Sequence, residues 1–207
     1  MKTLEKGFFP DYKDSKDEDC LCWKDVGDLQ EGFSCPIFSI RTVERASCDG
    51  RRAPFVQQVS NDFVTIIPYF KGIDGVGRFV LVKQFRHGSG KVTLEFPAGL
   101  VDPGEDSLHA ALRELREETG LEASKASLLG RVNPNAAFMT NKASFYLLEG
   151  LSVAGSQSLD ANEQIDIATI DESEAQEVFG LDKFDNGIML MALCLYNRYR
   201  RHEKERK

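Results

Sequence analysis

Three glutamates at positions 114, 117 and 118 could bind a metal ion together. Glu114 and Glu118 are four residues apart and Glu117 is three after Glu114, so all three lie on neighbouring parts of one helical surface. Like charges this close repel each other, and Glu117 and Glu118 also stand near the helix C-terminus, which disfavours anions. The arrangement therefore requires cations.

Arg113 can reach Glu117 at i+4 and neutralise that carboxylate. Glu114 and Glu118 remain, and two hard oxygen ligands at this spacing suit Mg²⁺, with Mn²⁺ as a substitute. By itself, however, the string from Arg113 to Gly120 is more often an ordinary charged helix face with Arg–Glu pairs. The sequence around it has to decide between these alternatives.

The upstream spacing favours the metal site. Five residues separate Gly99 from Glu105, and seven more separate Glu105 from Arg113. This is the pattern of the Nudix box, G-x5-E-x7-R-E-U-x-E-E-x-G-U, in which U is a bulky apolar residue. The chain therefore resembles a Nudix hydrolase. The nine fixed positions, spread over 23 residues, are Gly99, Glu105, Arg113, Glu114, Leu115, Glu117, Glu118, Gly120 and Leu121.

The resemblance implies an α/β/α sandwich around a mixed sheet, and divalent-metal-dependent cleavage of a nucleoside diphosphate linked to another group. It makes Glu114 and Glu118 the main metal ligands and catalytic residues, and Glu117 an auxiliary ligand or the partner of Arg113. The carbonyl of Ala98 is expected to join the metal shell. Supporting roles are implied for Gly99, Glu105 and Arg113.

Two flanking segments resemble the ADP-ribose and nucleoside-diphosphate-sugar pyrophosphatases of that family. Residues 83–86 read Lys-Gln-Phe-Arg, and residues 95–99 read Glu-Phe-Pro-Ala-Gly. The resemblance places Arg86 and Glu95 at the substrate, with Arg86 facing the phosphates or bracing the catalytic loop. A salt bridge from Arg86 to Glu95 is the equally weighted alternative.

Two later loops complete the resemblance. Residues 133–141 resemble a substrate-side loop, which makes Phe138 a candidate substrate contact; Pro134 comes earlier than the corresponding proline of ADP-ribose hydrolases. Residues 160–165 match a D-E-x-E-x-I/V motif, except that Ala161 replaces its first glutamate. Glu163 fits the second and is a candidate general base or orienter of a metal-bound water. The alternative for Glu163 is an ordinary surface glutamate.

The elements that must position these residues form a mixed α/β body. Leu108, Ala111, Leu112 and Leu115 follow helical spacing from Asp106, and Gly120 ends that helix. Several strands precede the helix, which disfavours a doubly wound parallel sheet. Strands are predicted at 37–43, 54–59, 63–68, 77–85, 91–96, 144–149 and 165–170, with Asp49-Gly50 as a hairpin turn, and further helices at 171–179 and 186–200.

Composition excludes several function classes. The chain has 207 residues and a formal charge of −7, which argues against a nucleic-acid partner but not against a small phosphorylated substrate. It holds no apolar run of about 20 residues that could span a membrane. The N-terminus lacks a secretory signal, which favours a cytoplasmic protein, and the five cysteines are then reduced thiols.

The sequence predicts an N-terminal arm over 1–35, poorly structured or in contact with another subunit, and a Nudix domain over 36–207 that includes N-terminal antiparallel strands. A homodimer is expected by resemblance alone. The expected reaction is pyrophosphate hydrolysis of ADP-ribose or a related nucleotide sugar. The alternatives are a Nudix nucleoside triphosphate or dinucleotide pyrophosphatase, or a nucleotide-sensing domain without catalysis.

Overall fold

The computed structural model describes residues 21–161 and 163–206. These residues form two compact units, one that ends at Val59 and one that begins at Ser60. The boundary predicted after residue 35 falls inside the first unit. The acidic run at 11–19 and Cys20 lie outside the described residues.

The first unit is a small antiparallel sheet in which one strand pairs with three others. The predicted hairpin at Asp49-Gly50 is confirmed, because Gly50 adopts a φ of 85° and the strands on either side of the turn pair in register. Trp23 packs edge-on against Phe55, with ring centroids 5.1 Å apart. The strands are β1 (Trp23–Asp25), β2 (Gln30–Ser34), β3 (Ser39–Ser47) and β4 (Arg52–Val59).

The second unit is built on a seven-stranded sheet in which β11, β6, β5, β10 and β9 lie side by side. The strand β7 adds to β6, and β8 adds to β5. The pair β5–β10 is parallel and the other pairs are antiparallel, so the sheet is mixed as predicted. The strands are β5 (Phe63–Lys71), β6 (Gly77–Arg86), β7 (Lys91–Glu95), β8 (Ala98–Leu100), β9 (Leu121–Val132), β10 (Ala143–Val153) and β11 (Asp166–Asp171).

Helices cover both faces of this sheet, which confirms the α/β/α sandwich. Side chains alternate along a strand, so Tyr146 and Leu148 of β10 pack with α1, whereas Phe145 and Leu147 pack with α3. None of the helices in the described part of the chain has the length and apolar character needed to cross a membrane. The helices are α1 (Ser107–Thr119), α2 (Glu172–Val178) and α3 (Gly187–Glu205).

The bounds of α1 follow from its caps. The Asp106 side chain accepts a hydrogen bond from the Leu108 N–H and so begins the helix. At the other end Gly120 adopts a φ of 67°, and its N–H donates to the Arg116 carbonyl. These caps fix where the box glutamates stand on the helix.

The sequence did not predict β1, β2, β8 or β9. Among the described strands, β9 pairs only with β10. Many of its side chains are polar and exposed, including Ser124 and Lys125. An edge strand of this kind lacks the apolar pattern on which strand prediction depends.

The C-cap of α1 provides a stability test. Gly120 and Gly75 both have positive φ, 67° and 79°, so an alanine at either position carries strain of about 1–2 kcal/mol. A Cβ on Gly120 would also overlap the Gly155 carbonyl oxygen, whereas one on Gly75 meets no atom within 4 Å. We expect Gly120→Ala to lower the free energy of unfolding in urea by about 1–3 kcal/mol more than Gly75→Ala. Equal losses would show that the loop at Gly155 moves aside without cost.

Candidate active site

Glu118 is the most enclosed carboxylate of the box. Its side chain is 3% exposed, and its Oε2 accepts a hydrogen bond from the Ala98 N–H at 3.1 Å. Burial, together with the nearby charge of Glu114, raises the pKa of Glu118 to about 8. A buried carboxylate held by a backbone N–H is a strong acceptor for an added cation.

Glu114 lies one turn earlier on α1, against the backbone of Gly99. A Cβ at position 99 would overlap the Glu114 carboxyl group, so the close approach of β8 to α1 depends on glycine. Burial raises the pKa of Glu114, against the opposing effect of Arg113, which donates to its Oε1 at 2.8 Å. The Gly99 position of the box thus has a steric reason.

Arg113 binds three carboxylates and a carbonyl. The sequence predicted the contact with Glu117, which is present at 3.0 Å. Arg113 also contacts Glu114 and donates twice to Glu105, at 3.0 Å each. A further bond reaches the Leu100 carbonyl, which fixes the loop before α1 onto the helix. The hydrogen bonds from Arg113 lower the pKa of Glu105.

The carboxylate oxygens of Glu114 and Glu118 suit a metal ion that takes its other ligands from water or substrate. Within residues 21–161 and 163–206, no three acidic, histidine or cysteine side chains converge into a full metal cage. Mg²⁺ is commonly held by one or two carboxylates, with waters and substrate phosphates as its other ligands. Glu118, which is buried, and Glu114, which is partly buried, both have a raised pKa and fit that demand. The Ala98 carbonyl stays a predicted ligand.

The loop before β11 brings a further carboxylate to these two. Glu163 caps its own loop, because its Oε2 accepts the Asp160 N–H at 3.1 Å. Behind the dominant effect of burial, the charge of Glu163 contributes to the raised pKa of both Glu114 and Glu118. Glu163 thus lies near enough to Glu114 and Glu118 for its charge to act on both.

This loop is docked on the C-terminal end of α1, a contact that the sequence did not predict. The Gln157 Nε2 donates to the Glu118 carbonyl at 2.6 Å and to the Ile165 carbonyl at 3.2 Å. The Ser158 N–H donates to the Glu117 carbonyl at 2.9 Å. Because the last carbonyls of a helix lack partners within the helix, they anchor the loop that carries Glu163.

Arg86 and Glu95 form the salt bridge that the sequence left as an alternative. The Arg86 Nη2 lies 2.7 Å from the Glu95 Oε2, and its Nε lies 3.1 Å from both carboxylate oxygens. Glu95 is 2% exposed, whereas the Arg86 side chain is 40% exposed. The positive charge of Arg86 also acts against the raised pKa of Glu118, so the guanidinium group lies near that carboxylate.

A cavity of about 280 Å³ lies between the start of the box and the start of α3. Phe138 stays a predicted substrate contact: it is 45% exposed on the loop after β9, outside the lining of this cavity. The sequence did not predict the contributions of α3. The cavity is lined by Phe63, Thr65, Arg86, Glu95, Phe96, Ala98, Gly99, Leu100, Asn186, Ile188 and Met189.

A larger cavity of about 660 Å³ lies at the opposite end of β5. It contains Arg200, whose guanidinium group stacks 4.6 Å from the Tyr69 ring centroid and 5.0 Å from that of Tyr196. Arg200 also forms ion pairs with Glu149 and Glu203, both at 2.7 Å. These contacts join α3 to the sheet and are distant from the box, so we assign the chemistry to the smaller cavity.

Residues 72–188, more than half of the chain, match the NUDIX domain family. The chain belongs to the Nudix family. It is 33% identical over 100 residues to an ADP-ribose pyrophosphatase of Bacillus subtilis, covering 48% of this chain and 54% of that protein. It is 46% identical over 67 residues to an ADP-sugar pyrophosphatase of Mus musculus, covering 32% of this chain and 31% of that protein. The matched segments thus span about half of one relative and under a third of the other.

A solved structure of an ADP compounds hydrolase has the same Nudix fold, with a TM-score of 0.75 over 87% of this chain and 95% of that chain. The two sequences are 20% identical, so this likeness concerns the fold. In this chain the box residues come from the strand β8, the loop that follows it, the helix α1 and the glycine that ends that helix.

The raised pKa of Glu118 predicts how stability changes with pH when no divalent metal is added. Between its ordinary value of 4.5 and about 8, Glu118 ionises in the unfolded chain but stays protonated in the folded protein. Folding stability should therefore fall as pH rises through this window, by about 1.4 kcal/mol per unit of pKa shift. Glu118→Gln removes this loss, so we expect a higher melting temperature than the unsubstituted protein at pH 8, but not at pH 4.5.

The matched control is Glu122→Gln, which removes an exposed carboxylate that pairs with Arg116 at 2.7 Å. Thermal unfolding of the three proteins in a chelating buffer, between pH 4.5 and pH 8, measures the effect. The same pH profile for Glu118→Gln and Glu122→Gln would contradict the burial of an ionisable Glu118.

Proposed function

We propose that this Nudix protein hydrolyses the pyrophosphate bond of ADP-ribose or a related nucleoside diphosphate sugar, giving a nucleoside monophosphate and a sugar phosphate. The observation that carries the proposal is the pair of carboxylates on α1, the buried Glu118 and the partly buried Glu114, packed against the backbone of Ala98 and Gly99. The relatives named ADP-ribose pyrophosphatase and ADP-sugar pyrophosphatase support the substrate class.

The metal of this reaction is Mg²⁺, with Mn²⁺ as a substitute. Glu114 and Glu118 hold it, with Glu117 and the carbonyl of Ala98 as further ligands. When bound, the ion neutralises phosphate oxygens and lowers the pKa of a water molecule. Support comes from the hard oxygen donors and from the raised pKa of Glu114 and Glu118, which a nearby cation would reverse.

The other residues bind the substrate and move a proton. Arg86 donates to the phosphates, and Glu95 keeps its guanidinium group oriented. Water attacks one phosphorus, Glu163 accepts the proton of that water, and the bond from that phosphorus to the bridging oxygen breaks, so that the other phosphate leaves. Phe138 contacts the substrate from the loop after β9. The position of Glu163 beside the paired carboxylates supports its role.

The partner is a small nucleotide sugar rather than a nucleic acid, and the protein acts as a homodimer in the cytoplasm. The charge of −7 supports the first part, because an acidic surface repels a polyanion, whereas a local metal site attracts a small phosphate. Gel filtration with light scattering tests the dimer.

A substrate panel tests the reaction directly. The protein is incubated with Mg²⁺ and ADP-ribose, several nucleoside diphosphate sugars, dinucleoside polyphosphates or nucleoside triphosphates, and the products are separated by anion-exchange chromatography. We expect AMP and ribose 5-phosphate from ADP-ribose, and no turnover in EDTA. Turnover of nucleoside triphosphates alone would assign a different substrate class, and turnover of nothing would refute the hydrolase.

Glu118→Gln should abolish most of the activity without unfolding the protein. The variant keeps an oxygen for the Ala98 N–H but loses the charge that holds the metal, so we expect kcat to fall by about 10³-fold or more. The same panel assay measures kcat, and circular dichroism checks the fold. The Glu122→Gln variant again serves as control, and a Glu118→Gln enzyme with near-normal kcat would remove Glu118 from the metal site.

Glu163→Gln tests the general base separately. Loss of a positioned base lowers kcat by about 10²- to 10⁴-fold, while KM should change little, because the proposed role begins only when water attacks. Asp160→Asn is the control, since it neutralises another carboxylate of the same loop. If both variants keep the original rate, Glu163 is an ordinary surface residue.

A further inference from the structure

Asn186, the N-cap of α3, links the beginning of that helix to the salt bridge at the cavity. Its Nδ2 donates to the Glu95 Oε2 at 2.8 Å, across 91 residues of sequence. Its Oδ1 accepts the Ile188 N–H at 2.9 Å, which caps the helix. The oxygen and the nitrogen of the Asn186 amide are therefore both hydrogen-bonded. Because Oδ1 is held by the Ile188 N–H, Nδ2 is directed at Glu95.

The bond from Asn186 completes the hydrogen bonding of a buried carboxylate. The Thr93 hydroxyl donates to the Glu95 Oε1 at 2.5 Å, and Arg86 donates to both oxygens. Burial alone would raise the pKa of Glu95, but the bonds from Arg86, Thr93 and Asn186 outweigh it and lower the pKa. The carboxylate is thus ionised and is held on both sides, so its plane cannot rotate without breaking a buried bond.

The orientation of Glu95 decides the orientation of Arg86. Arg86 uses its Nε and one Nη2 hydrogen on Glu95, and a guanidinium group carries five N–H donors in one plane. Within the described part of the chain, Glu95 is the only hydrogen-bond partner of this guanidinium group. The Nη1 donors therefore lie in a plane set by Glu95, on a side chain that is 40% exposed and lines the cavity with Ala98 and Gly99.

We propose that Asn186 is a positioning residue for the reaction: its amide locks Glu95, and Glu95 aims the remaining donors of Arg86 at the substrate phosphates. The proposal rests on the pyrophosphate hydrolysis proposed above and adds a residue that lies outside the Nudix box. It also gives the beginning of α3 a part in the reaction, because the same amide caps the helix and holds the carboxylate.

The alternative is that Asn186 only caps α3 and docks it on the sheet. A neighbouring contact separates the two roles. Lys91 of β7 forms an exposed ion pair with Asp185 at 3.4 Å, which also docks the beginning of α3 but does not touch Glu95. Lys91→Met removes that ion pair and leaves the Asn186 amide in place.

The experiment compares Asn186→Ser, Asn186→Asp and Lys91→Met in the full chain. Serine and aspartate are both good N-caps, so both variants should keep the cap of α3 while they lose the bond to Glu95. Serine is too short to cap and also reach Glu95, and aspartate places a second carboxylate beside it. We expect kcat/KM to fall about 10- to 100-fold in both Asn186 variants and to stay within about twofold in Lys91→Met.

A double-mutant cycle with Arg86→Ala asks whether the effect passes through the arginine. If it does, Asn186→Ser should change kcat/KM by less than about twofold in the Arg86→Ala background. Equal losses in both backgrounds would show a role independent of Arg86. A loss in Lys91→Met as large as that in Asn186→Ser would assign the effect to helix docking. Either result overturns the proposal.

A measurement that does not need turnover keeps this proposal separate from the proposed function. The Arg86 Nε–H is assigned by NMR, and its exchange with solvent is compared among the proteins. We expect slow exchange in the unsubstituted protein and in Lys91→Met, and fast exchange in both Asn186 variants. Unchanged exchange in Asn186→Ser refutes the lock even if the enzyme is active. An inactive protein with the expected exchange pattern refutes the hydrolase and leaves the amide lock standing.

Discussion

Two carboxylates that repel each other, the buried Glu118 and the partly buried Glu114, lie one turn apart on α1, and much of the candidate site is arranged around them. Glu114 and Glu118 both have a raised pKa because they have left water. The chain offsets part of this cost with Arg113 on one side and the backbone N–H of Ala98 on the other. A divalent cation would neutralise the negative charge of the two carboxylates that Arg113 and the Ala98 N–H do not offset. A cation bound at the pair would relieve this cost, so the protein would be more stable with the cation than without it.

The segments that surround the pair are held by groups that secondary structure leaves without partners. The end of α1 offers carbonyls to the loop that carries Glu163, through Gln157 and Ser158. The beginning of α3 offers its cap residue, Asn186, to Glu95. Helix ends therefore serve as attachment points for the loops and side chains of the site.

The sequence predicted the fold where local pattern and local chemistry agreed. The apolar stripe that follows Asp106 and the glycine at position 120 predicted α1, and the structure adds the caps and the close approach of Gly99. The polar edge strand β9 carried no such pattern. Gln157 and Asn186 could not be identified either, because each acts through one bond to a residue far away in the sequence, 39 and 91 positions apart. For Arg86 the sequence left open either a contact with the substrate or a salt bridge to Glu95. The structure shows the salt bridge, and the Arg86 side chain is nevertheless 40% exposed.

The parallel pairing of β5 with β10 has a consequence for how the protein folds. Ala143 pairs with Phe63, and beside them the Lys142 N–H donates to Asp62 across 80 residues. The whole of α1 and the loop before it lie within this crossover. Closing so long a loop is slow relative to forming a helix or a hairpin. The apolar cluster that joins α1 to Val64 of β5 and Tyr146 of β10 is therefore complete only when these strands join, so we expect α1 to pack fully onto the sheet at a late step of folding.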